Sequence, residues 1–103
     1  MATITEANLT IHKSTLSSGY KEIIVETPAT ADDGDDFSIS LPKYGIAADG
    51  FRTIQGYVHS TDTSVVAQED PTTVVSSGTL AVTLGSVGGT DKRRVFIIRG
   101  LSG

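Results

Sequence analysis

The chain has no cysteine and no tryptophan, and it has only one methionine and three prolines. Without cysteine there is no disulfide scaffold and no thiolate metal site, and the compartment is otherwise left open. Long apolar runs are also missing. The longest, Val95 to Ile98, spans four residues, against the roughly 20 that a membrane-crossing helix needs. Basic residues are outnumbered, with Lys and Arg at 8 against Asp and Glu at 12, a net charge of −4. That balance argues against general nucleic-acid binding, which needs a basic face. The opening MATITEANLT has neither a basic stretch nor an apolar core, so no secretory leader is expected. In that context the sequon Asn8-Leu9-Thr10 reads as chance. Aromatic residues are three Phe and three Tyr, few for a sugar-stacking platform.

What remains is β-forming material. Thr, Val and Ile supply 32 of the 103 residues, and branching at Cβ stiffens these side chains in favour of strands. A chain of this length forms one domain and buries roughly 65% of its unfolded surface, enough for a modest core. Residues 1–19 read as an N-terminal arm, or as an edge strand with its turn, and residues 20–103 as the domain proper.

Within 2–11 the apolar phase slips: Ala2 and Ile4 share one phase and Ala7, Leu9 and Ile11 the other, which predicts a bulge or bend near Thr5–Glu6. Residues 14–19 read as a turn and 20–27 as a strand ended by Pro28, with Ile23 and Val25 on one face and Ile24 on the other. Phe37, Ile39 and Leu41 alternate with serines, a half-buried strand stopped by Pro42. Residues 43–50 connect, with room for one helical turn. Residues 51–60 form the longest central strand, with Ile54 and Val58 on one face and Phe51, Tyr57 and His59 on the other. Gly56 between them predicts a bulge or a close backbone approach. After a turn at 61–64 come two short strands, 64–68 and 72–76. Residues 76–100 read as one hairpin, in which a strand carrying Leu80, Val82 and Leu84 inward is joined by the loop Gly85–Lys92 to a central strand, Arg94–Arg99. Seven or eight short antiparallel strands at this spacing predict an all-β sandwich or open barrel.

Candidate chemistry is sparse. Asp32, Asp33, Asp35 and Asp36 around Gly34 invite a calcium reading. They lack the EF-hand spacing, and a solvated acidic loop is the expectation, with no metal. His59 and Asp62 could form part of a hydrolytic triad, but no nucleophile elbow accompanies them. Residues 85–94, GSVGGTDKRR, only superficially resemble a phosphate cradle, because a strand follows where a helix is needed. Lys92, Arg93 and Arg94 form a small basic patch that suits either an acidic partner or a solvated strand end. Val87 at the glycine-rich loop tip is a possible contact point. No catalytic set, cofactor or metal site emerges.

From about residue 37 to 100, the threonine-rich strands of VSSGTLAVTLG and the KRR lead-in to VFIIRG, in a small cysteine-free, helix-poor chain, resemble the small β-rich virion proteins of tailed bacteriophages. The resemblance implies a non-enzymatic decoration or cement protein on the capsid exterior, assembled in the host cytoplasm. It also implies a homotrimer that bridges neighbouring subunits of the major capsid protein, partly through an extended N-terminal segment. Neither nucleic acid nor membrane is then a partner. The interface residues expected on this reading are Ile4, Leu9, Ile11, Val87 and Arg93. The alternative is a receptor- or glycan-binding module of a tail or fibre, with contacts on Tyr44, Phe51 or Tyr57.

Overall fold

The computed structural model describes residues 2–15, 19–60 and 64–103. Eight strands follow one another: β1 (Thr10–Thr15), β2 (Tyr20–Glu26), β3 (Asp36–Ser40), β4 (Ile46–His59), β5 (Val65–Glu69), β6 (Thr72–Ser76), β7 (Thr79–Thr83) and β8 (Arg93–Ser102). They build two antiparallel sheets, ordered β1-β2-β8-β4-β5 and β3-β7-β6. The fold is an all-β sandwich rather than a closed barrel. Its only helical pieces among the described residues are 3-10 turns at Glu6–Asn8 and Pro42–Tyr44.

Alternation along the strands assembles the core. Ile23 and Val25 of β2 and Phe96 and Ile98 of β8 are buried on the larger sheet in one cluster with Phe37, Ile39, Leu80 and Val82 from the smaller one, while Val58 of β4 is buried outside that cluster, opposite Arg94. The Phe37 and Phe96 rings meet across the sheets at 5.7 Å, tilted by 54°, an arrangement that suits two ring quadrupoles. Gly56 is the close approach expected of it. A Cβ there would stand 2.6 Å from Cε1 of the buried Phe96 ring.

The structure corrects four expectations. Residues 46–50, expected within a connection over 43–50, already belong to β4. Residues 76–100 are not one hairpin: β7 pairs with β6 and β3 in the small sheet, whereas β8 pairs with β2 and β4 in the large one. The loop between them crosses the sandwich. The true hairpin there is β6–β7, turned by Ser77 (φ 51°) and Gly78 (φ 81°), the two positive values that a twisted two-residue turn demands. Ser14 and Thr15, expected in a turn over 14–19, belong to β1 and pair with Glu22 and Lys21; residues 16–18 of that expected turn lie outside the described residues. Phe51 packs against the core rather than opposite Ile54, because the register of β4 against β8 shifts on both sides of it. The predicted turn at 61–64 lies mostly outside the described residues.

Candidate interaction surface

The acidic loop is not the freely solvated one expected. Asp35 is buried, and its two carboxylate oxygens accept the N–H groups of Ala2 (2.8 Å) and Asp32 (2.9 Å). Asp32 Oδ1 accepts from Asp91 N–H and Asp33 Oδ1 from Gly89 N–H. Backbone bonds from Asp33 to Gly89 and from Lys92 to Ala31 complete a seam between the acidic and glycine-rich loops. These carboxylates hold the crossing connection in place.

Under the seam lies Arg94, expected at the surface and found wholly buried. Its five side-chain N–H groups are all engaged: Nε with Glu69, Nη1 with the carbonyls of Ala31 and Lys92, and Nη2 with Asp33 and the carbonyl of Gly89. The fork geometry of guanidinium makes such saturation possible. Gly88 lies against Nη2, where a Cβ would stand 2.6 Å away. The basic patch therefore shrinks to exposed Arg93 and half-buried Lys92.

The N-terminal segment divides in two. Residues 2–4 lie along the free edge of β3 through a parallel bridge, Thr3 to Asp36, with Ile4 N–H donating to the Asp36 carbonyl at 2.7 Å. Ile4 is thereby buried in the core. After the bend at Glu6–Asn8, near the predicted slip, β1 forms the edge of the large sheet. Leu9 and Ile11 are half-buried and line an open groove of about 590 Å³ with Glu6, Ala7, Lys43 and Tyr44. At its rim Lys43 Nζ and the Tyr44 hydroxyl both donate to Glu6 Oε2, the former at 2.7 Å. Lys43, and then Tyr44, hold the Glu6 carboxyl below its ordinary value. The same carboxylate raises Lys43. Burial, and then Glu6, raises the Tyr44 phenol. Nothing local in the sequence marks this trio, because Glu6 stands 37 and 38 residues from its partners.

The apolar surface left open gathers elsewhere. β5 and β6 are edge strands of different sheets, joined by only Asp70–Pro71. They expose Val65 (58%), Val66 (57%), Val74 (66%) and Val75 (40%). Val75 lies opposite buried Leu80, on the core-facing side of its strand, and is still uncovered. Val87, at the crossing loop, is 49% exposed. The valine doublets carry the sequence signal for this surface: neighbours in a strand face opposite ways, so one of each pair points away from the core.

Of the five expected interface residues, Val87 and Arg93 are exposed, Leu9 and Ile11 share the groove, and Ile4 is in the core. Tyr44 is tied to Glu6, Phe51 packs on the core, and Tyr57 is half-buried on β4. His59 ends β4, and Asp62 lies outside the described residues. Comparison with protein-family models, with curated proteins and with solved structures returned no match.

Proposed function

We propose that this chain is a non-enzymatic virion protein that decorates a phage capsid and stabilises it by bridging neighbouring capsid subunits, with the β5–β6 side as its contact. The observation that carries the reading is the pair of adjoining edge strands with four exposed valines and no exposed charge within either strand: Glu69, the only ionisable residue in them, is buried. Soluble domains ordinarily blunt such edges with charge, proline or a covering segment. An edge left open offers backbone pairing to another chain and apolar anchors beside it. Asp32, Asp33 and Asp35 of the acidic loop, and Arg94 beneath it, are occupied in holding the sandwich together, which suits a protein whose product is a stiff, adhesive surface. On a shell, each copy needs only a standard interface of about 1,600 Å², and repetition around the lattice supplies avidity.

The test is co-sedimentation of the purified chain with shells of the major capsid protein from the same genome. Binding that Val66→Lys weakens by about tenfold or more supports the reading, because the lysine places a charge in the contact. Absence of binding, or binding that Val66→Lys leaves intact, rejects it.

A further inference from the structure

The four sheet edges are not equivalent. The β1 edge carries His12 and Lys13, the β3 edge is taken by residues 2–4, and β5 ends in Glu69, locked to Arg94. β6, TTVVS, carries no charge, and among the described residues it hydrogen-bonds only to β7. We propose that β6 pairs antiparallel with β6 of a second copy of this chain, about a two-fold axis through Val74.

The register follows from the hairpin. In a two-residue turn the flanking residues, Ser76 and Thr79, exchange both hydrogen bonds, and bonded and non-bonded pairs then alternate along the ladder. Thr72, Val74 and Ser76 therefore spend their backbone groups on β7, while the N–H and C=O of Thr73 and Val75 point away from it. A second β6 with Val74 opposite Val74 places Thr73 opposite Val75 and satisfies every one of these groups. Val74, the most exposed large apolar residue among those described, meets its own copy in a non-hydrogen-bonded pair. In such pairs the Cα atoms stand about 4.5 Å apart and side chains are closest. No charge enters the contact, whereas self-pairing of β1 would place Lys13 of both copies in it. The product is a continuous six-stranded sheet, β3-β7-β6-β6-β7-β3, in which Val75 gains a neighbour on its uncovered side. Pro71 and the Ser77–Gly78 turn bound the strand, so the contact is short and closes on itself.

This inference rests on the assembly reading of the open edges and assigns the β6 half to self-association, leaving β5 for the shell. The absence of cysteine makes the test clean. A Val74→Cys chain is oxidised mildly beside a Val66→Cys control, with native masses of the unsubstituted and Val74→Lys chains measured across a concentration series. The expected result is a two-fold species that Val74→Lys converts to monomer with unchanged circular dichroism, and a disulfide-linked pair from Val74→Cys alone. The pair distance lies within disulfide reach. A monomer at all concentrations, a trimer indifferent to Val74→Lys, or equal cross-linking at Val66→Cys overturns the proposal. Shell binding by the Val66→Lys chain reads the functional proposal separately, so either can fail alone.

Discussion

Arg94 Nε donates to Glu69 Oε1 at 3.3 Å, and both side chains are shut off from solvent. Removing either charge strands the other in a low-dielectric interior, a loss of about 3–5 kcal/mol. Arg94→Met should therefore shift the urea midpoint steeply with little change in slope. Arg94→Lys should rescue little, since an ammonium has three donors for positions that now engage five. A lysine variant as stable as the parent would show the fork to be dispensable.

Gly56 has no space for a methyl group. The added Cβ would meet the Phe96 ring at 2.6 Å and Glu69 Cβ at 2.9 Å, all buried. Gly56→Ala should lose about 1–3 kcal/mol through overpacking, read as a lower melting temperature. An unchanged melting temperature would mean that β5 and Phe96 yield freely.

Asp35 joins the N-terminal strap to the acidic loop. Asp35→Ala leaves the N–H groups of Ala2 and Asp32 without their acceptor, at about 1–3 kcal/mol. Hydrogen exchange should accelerate first at the Ile4 amide, which bonds to the neighbouring Asp36 carbonyl. Uniform acceleration across the domain would instead make the strap part of one cooperative unit.

Calcium followed by chelator should leave the melting temperature where it began. Both carboxylate oxygens of Asp35 and Oδ1 of Asp32 and of Asp33 already accept backbone N–H groups, and a cation gathering these carboxylates would have to disturb those bonds. A calcium-dependent rise would show that the loops reorganise around an ion.

The Glu6 trio predicts a pH profile. A carboxyl held below its ordinary value of 4.5 contributes stability that is present above that value and is lost as pH falls through its folded-state value. Lys43, raised from 10.5, contributes stability that is present below 10.5 and is lost as pH rises through its folded-state value. Lys43→Met should shrink both flanks of the melting-temperature profile and leave the rest of its shape alone. Identical acid flanks in the two proteins would dismiss the Lys43–Glu6 bond as a contributor.

Strand positions were legible because alternation is local. The phases of Ile23 and Val25, of Phe37 and Ile39, and of Leu80 and Val82 could be read one segment at a time, and each lies in the core. Sheet membership was not legible. The glycines and polar residues of 85–92 suit a hairpin loop and a sheet-crossing loop equally, and only pairing with distant β2 and β4 decides between them. Arg94 was misread for a related reason. In KRR the three cations look alike, and what singles out the third is a set of acceptors outside the motif: Glu69, Asp33 and the carbonyls of Ala31 and Gly89. The open β5–β6 side was half legible, since the valine doublets show and their edge positions do not.

β8 is central in the large sheet, between β2 and β4, yet it is made after both of them. On a ribosome, until residues 93–102 emerge, β1–β2 and β4–β5 are separate hairpins with raw inner edges. Burial of Ile23 and Val25 thus waits for β8, and the nascent chain carries those apolar side chains unpaired while β3 to β7 are being made. Expression yield, more than equilibrium stability, should therefore respond to how quickly that segment is delivered.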